Sequence, residues 1–125
     1  MGTRPIPRKR YLSSIVFSVA CASVLAGVNA RAADAQSIAE GQAIAADRDR
    51  GNCYSCHMAE GAEMTGNGGP PLVMMQLRFP ERDVLKAQIA DPRIRNPNTV
   101  MPPYGAHGIL TDRELELVVD YVHSL

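Results

Sequence analysis

Cys53-Tyr54-Ser55-Cys56-His57 limits this chain more than any other stretch. C-x-x-C-H is the attachment pattern for a c-type haem. Thiols three residues apart fall on one side of a helical turn, where each can add to a porphyrin vinyl group as a thioether. The adjacent imidazole can take one axial position on iron. A chain tethered this way must build its core around a flat apolar plate, and redox chemistry would reside in that cofactor.

Two other chemistries share parts of the string. A redox-active dithiol uses C-x-x-C, but such sites follow a strand, and no strand pattern precedes Cys53. A Cys2His2 zinc site would have to recruit His107 or His123, whose distance and spacing do not match a compact finger.

The first 32 residues read as a secretory leader rather than as fold. Arg4, Arg8, Lys9 and Arg10 precede an uncharged apolar and small-residue stretch from Tyr11 to Val28. Small residues then offer cleavage at Val28-Asn29-Ala30 or Ala30-Arg31-Ala32. The stretch is at the short end for a membrane span. Ser18-Val19-Ala20 is a poor lead-in for lipid modification of Cys21, so that cysteine is expected to leave with the leader.

Residues 33–125 would then be a single haem-binding domain in the periplasm, free of the membrane after processing. It carries eight Lys or Arg against 13 Asp or Glu, a net charge of about −5. That charge excludes nucleic acid as a natural partner. A domain this short buries only ~60–65% of its unfolded surface and is marginal alone, so a covalently held porphyrin would complete its core.

The spacing predicts an all-α domain with three main helices and a short haem-motif turn. Residues 35–47 place Ile38, Gly41, Ile44 and Ala45 on one side, with Ser37 and Glu40 at capping-box spacing. Residues 53–58 form the turn. Residues 59–71 are glycine-rich, and Pro70-Pro71 excludes a helix interior. Pro80 can start a helix whose partial apolar face is Val84, Leu85, Gln88 and Ile89, ended by Asp91-Pro92. Residues 91–108 form a long proline-rich loop, explained if it covers one face of a cofactor. The last helix, 112–123, has Thr111 and Glu114 at capping-box spacing and a stripe of Leu115, Val118, Val119 and Val122.

Met101, in Val100-Met101-Pro102-Pro103, is the expected sixth iron ligand. Flanking prolines stiffen its loop, and a thioether raises the reduction potential relative to a second imidazole. His107 is the rival ligand. The carbonyl of Pro70 is expected to accept the proton from the other His57 nitrogen. Tyr104 is expected to pack at the porphyrin edge, to bond a propionate, or simply to pack its loop.

The arrangement resembles a class I cytochrome c over residues 34–125. The resemblance rests on helix 35–47, Cys53/Cys56/His57, Gly69-Pro70, Met101 and helix 112–123, with Gly41 crossing Tyr121. A narrower resemblance is to SoxX, the monohaem subunit of SoxAX complexes. It rests on Asp47 to His57, Gly69-Pro70-Pro71-Leu72, Val100 to Gly105 and Gly108 to Val122.

The residues imply one-electron transfer, with no nucleophile, acid or base required. The SoxX resemblance implies a relay subunit within a thiosulfate-oxidising heterodimer, an L-cysteine S-thiosulfotransferase. Its partners would be a SoxA-like cytochrome subunit, an acceptor cytochrome c and, through the complex, a sulfur-carrier protein. The alternatives are a free periplasmic shuttle for a respiratory oxidase or reductase, and a haem sensor or peroxidase with a labile sixth ligand.

Overall fold

The computed structural model describes residues 1–2 and 33–125. The leader, its cleavage sites and Cys21 lie outside the described residues. Among the described residues the fold is all-α, as expected, with no β-strand and one isolated bridge between Ala59 and Leu72. The helices are α1 (Ala35–Ala46), α2 (Met75–Arg78), α3 (Arg82–Ala90) and α4 (Asp112–His123). Single 3-10 turns span Cys53–Ser55 and Pro92–Ile94. No helix among the described residues is long and apolar enough to cross a membrane.

α1 packs along α4, and Gly41 makes that approach possible. A Cβ at Gly41 would stand 2.0 Å from the Leu117 carbonyl oxygen and 2.8 Å from the Tyr121 Cβ. The expected Gly41–Tyr121 crossing is therefore present. The expected cap of α1 is not. Asp34 is the N-cap, accepting from the Ser37 amide at 2.7 Å, while the Ser37 hydroxyl donates to the Asp34 carbonyl at 3.0 Å. Ser37 sits three residues inside the helix and is buried, and Glu40 accepts from Gln36 Nε2 instead.

α4 has the capping box its sequence predicts. Thr111 Oγ1 accepts from the Glu114 amide at 3.3 Å, and Glu114 Oε2 accepts from the Thr111 amide at 2.9 Å. Its burial is broader than the predicted stripe, because Leu117, Asp120 and Tyr121 are covered as well. α1 and α3 both pack on this helix.

α3 begins at Arg82 rather than Pro80 and buries Leu85 and Ile89, whereas Val84 is exposed. Arg82 ties α3 to α4: its guanidinium donates to Asp120 Oδ1 at 2.8 Å from Nε and to the Glu116 carbonyl at 3.1 Å. Lys86 pairs with Glu116 beside it. The loop after α3 is clamped to that helix, since the Gly105 and Ala106 amides both donate to the Ala90 carbonyl at 3.0 Å.

α2 is a single turn that the sequence did not announce. Met74 precedes it in the left-handed conformation at φ 50°, and the Met75 amide donates to the Leu125 carbonyl at 2.7 Å. His123 donates from Nε2 to the Phe79 carbonyl at 3.0 Å, so both contacts hold the α2 region to the end of α4.

Candidate functional site

The C-x-x-C-H segment is delivered by a tight turn beneath the end of α1. A Cβ at Gly51 would lie 2.4 Å from the Ile44 carbonyl oxygen, so only glycine fits there. Asn52 follows in the left-handed conformation, φ 48°, which asparagine tolerates better than most residues. The His57 amide then donates to the Cys53 carbonyl at 2.9 Å, closing one helical turn. That turn sets both thiols and the imidazole on the wall of one cavity.

The loop after the motif wraps its other side. The Gly66 amide donates to the Tyr54 carbonyl and the Gly69 amide to the Cys56 carbonyl, both at 2.8 Å. A Cβ at Gly69 would stand 2.4 Å from His57 Cε1, so glycine is what allows the ring its position. His57 Nδ1 lies 2.7 Å from the Pro70 carbonyl oxygen. A carbonyl only accepts, so Nδ1 is the donor, and in the neutral ring this leaves the Nε2 lone pair for a metal. This is the hydrogen bond the sequence led us to expect at Pro70, and such a bond fixes tautomer and ring orientation in a ligand imidazole.

The cavity measures about 500 Å³ and is walled by the haem-motif turn, the segment 68–70, α2, α3, the long loop and α4. Leu72, Met75, Leu85, Ile89, Leu110, Val118 and Val122 give it an apolar lining. Met101 and its neighbours Val100 and Pro102 line it from the long loop. Cys53 and Cys56 are free thiols, Cys53 partly covered and Cys56 exposed. Burial pushes the Cys53 thiol up to about 11, so it is protonated at neutral pH. A depressed thiol is the mark of a redox-active dithiol, and this is its reverse.

The two rival histidines are elsewhere. His107 is exposed and not on the cavity wall; its Nε2 accepts from Arg93 Nη1 at 3.1 Å. His123 is held to Phe79. Among the described residues no group of three or more His, Cys, Asp or Glu could hold a metal ion, so the zinc reading has no support.

Tyr104 reaches the cavity, but its hydroxyl donates to the Gly51 carbonyl at 2.7 Å. That bond ties the long loop to the motif turn. Burial pushes Tyr104 up to about 12, so the hydroxyl keeps its proton at all ordinary pH.

Several lining residues were not singled out from sequence. Met75 is 3% exposed and faces the cavity, but its sulfur accepts from Arg78 Nη1 at 3.3 Å. Arg48 and Arg78 bring positive charge to the wall, while Arg50, also on it, is paired with Asp47 and Glu114. Gln88 Oε1 is buried there with no hydrogen-bond partner among the described residues. Its signal in the sequence is a lone amide inside the apolar face of α3.

These residues fit a covalently attached haem: two thiols and an imidazole on one wall, an apolar chamber, a loop thioether, and cationic side chains for two carboxylates. Residues 36–122 match the family model described as cytochrome c oxidase, cbb3-type, subunit III. The chain is also 32% identical over 76 residues to an "Uncharacterized lipoprotein" of Aquifex aeolicus (strain VF5), a stretch covering 60% of this chain and 37% of that protein. It thus spans little more than a third of that relative's length. On the extent of the family match, the chain belongs to the cbb3-type cytochrome c oxidase subunit III family of c-type cytochrome domains, which bind haem c covalently.

Proposed function

We propose that residues 33–125 form a periplasmic carrier of single electrons holding one haem c. Cys53 and Cys56 tether it, and His57 and Met101 are its axial ligands. The observation that carries this reading is the His57–Pro70 hydrogen bond at 2.7 Å. It fixes the imidazole with Nε2 as the only nitrogen able to coordinate, on the wall that also holds both thiols.

Met101 is favoured as sixth ligand over the other cavity methionine because the Met75 sulfur already accepts from Arg78. Bound haem supplies outer-sphere one-electron chemistry at iron. The chain's residues hold its two faces, exclude water with an apolar lining, and leave no coordination position open. Carbon monoxide added to the untreated reduced protein tests this: no binding is expected, and ready binding would favour the sensor or peroxidase alternative.

For the partner, we propose the relay subunit of a SoxAX-type complex. It would receive electrons from a SoxA-like cytochrome subunit acting on thiosulfate and a sulfur-carrier protein, and pass them to an acceptor cytochrome c. The support is the set of strings around the motif, Gly69-Pro70-Pro71 and Met101. Co-purification from native periplasm tests it. Recovery only as a free monomer would leave the second reading, a shuttle serving a respiratory oxidase, which the oxidase name of the matched family favours.

The leader of residues 1–32 and the lipoprotein name of the Aquifex aeolicus relative both favour a place outside the cytoplasm. We propose cleavage close to Ala30 or Ala32. The intact mass of the exported protein checks this, and a mass including Cys21 with acyl chains would contradict it.

A further inference from the structure

We propose that Tyr104 is a positioning residue for the sixth-ligand side: its hydroxyl, latched to the Gly51 carbonyl, governs how readily the Met101 loop gives way to an outside ligand. The inference rests on the haem reading above. His57 and both thiols come from the motif turn, whereas Met101 comes from the loop at 91–108. Among the described residues a single hydrogen bond joins residues 51–72 to residues 91–108, from the Tyr104 hydroxyl to the Gly51 carbonyl at 2.7 Å. Gly51 stands two residues before Cys53, and Tyr104 three residues after Met101. The bond therefore joins the backbone that carries one side of the chamber to the backbone that carries the other.

The chain is held unequally on the two sides of Met101. Before it, the hydrogen bonds stay inside the loop. The Asn96 amide donates to the Pro92 carbonyl and the Thr99 amide to the Asn96 carbonyl, both at 3.0 Å, and the Met101 amide donates to Thr99 Oγ1 at 3.2 Å. Val100 there is 86% exposed. After Met101, the chain is fixed to the body of the domain. Tyr104 is buried, its carbonyl accepts from the Leu110 amide at 3.0 Å, and the next two amides bond the Ala90 carbonyl. Between Met101 and Tyr104 lie Pro102 and Pro103, whose φ angles are locked. A stiff link thus runs from the latch to the ligand, and moving Met101 outward pulls on Tyr104.

The latch acts on the balance between a closed and an open loop. In the closed loop Tyr104 satisfies the Gly51 carbonyl; in the open loop water does. Tyr104→Phe keeps the ring but leaves that carbonyl without its donor in the closed loop alone. Such an unmade buried bond shifts a two-state balance by about five- to a hundredfold. The apparent affinity for an outside ligand rises by the same factor while the open loop is rare.

Imidazole titrated into the oxidised, haem-loaded protein reads this balance through loss of the near-infrared sulfur-to-iron band. Tyr104→Phe is expected to bind imidazole about five- to a hundredfold more tightly than wild type. Tyr54→Phe is the control. It also removes a hydroxyl that ties down the motif turn, but that hydroxyl bonds to Tyr121 on α4 and not to the Met101 loop. Its imidazole affinity is expected to stay within about twofold of wild type.

An affinity in Tyr104→Phe within about twofold of wild type overturns the proposal, and so does equal tightening in both variants, which marks a general loosening. Should Tyr104→Phe fail to load haem, hydrogen exchange on the wild type replaces it. Saturating imidazole is expected to speed exchange at the Leu110 amide, whose acceptor is the Tyr104 carbonyl. Unchanged exchange there overturns the proposal as well. A wild-type protein with no sulfur-to-iron band removes Met101 as ligand and sinks the underlying reading. That failure is told apart because it is seen before any substitution is made.

Discussion

The hydroxyl oxygens of Tyr54 and Tyr121 lie 2.6 Å apart. One tyrosine sits between the two cysteines of the motif, and the other on α4 against Gly41. The bond therefore links the attachment turn to the α1–α4 packing. Burial first, then the bond to Tyr54, pushes the Tyr121 hydroxyl above its ordinary range. Tyr54→Phe is expected to destabilise the domain by about 1–3 kcal/mol, since a part-buried hydroxyl is left without its partner. Thermal unfolding of the haem-loaded protein checks this, with the absorption spectrum unchanged.

Gly41→Ala is expected to destabilise more than its helix propensity would suggest. Alanine gains about 1 kcal/mol over glycine in a helix interior, but the new Cβ would fall on the Leu117 carbonyl. α1 and α4 must then separate, at about 1–3 kcal/mol or more for overpacking. A lowered unfolding midpoint is the expected result; an unchanged or raised one would show that α4 yields there.

Much of this architecture was legible because its signals are local. The Thr111–Glu114 box and the α4 stripe each lie within a few residues; the box is present as read, and the stripe lies within a broader buried face. The α1 cap was misplaced because Asp34 and Ser37 both offer an oxygen at a plausible start, and only burial of Ser37 decides between them. α2 was missed because one turn carries no periodicity. The Arg82–Asp120 pair was missed because its partners are 38 residues apart. Pro70 was found through the chemistry of a ligand imidazole, whereas the Tyr104 bond to Gly51 has no sequence signal at all.

Acid should weaken the ties of α4 to its neighbours. The Thr111 backbone and side-chain bonds and Arg50 hold Glu114 below its ordinary value of 4.5. Lys86 first, then Arg82, does the same for Glu116. A carboxylate lowered in the folded state contributes stability in full above the unfolded value, and loses it as pH falls through the folded one. Stability is therefore expected to be flat above pH 4.5 with respect to these groups and to fall below it. In Glu116→Gln that acid limb should be shallower, as measured by denaturant midpoints across pH.

Met101→Ala should keep covalent haem and lose the near-infrared sulfur-to-iron band. It should also bind carbon monoxide when reduced, because a coordination position opens. Persistence of the band in this variant would shift ligation to Met75, the other methionine on the cavity wall.

The most direct measurement is the intact mass and visible spectrum of the exported protein under denaturing conditions. One haem retained through Cys53 and Cys56, with a Soret band and no alkylatable thiol at either position, is the expected result. A mass equal to the polypeptide alone, with both cysteines free to alkylate, would contradict it.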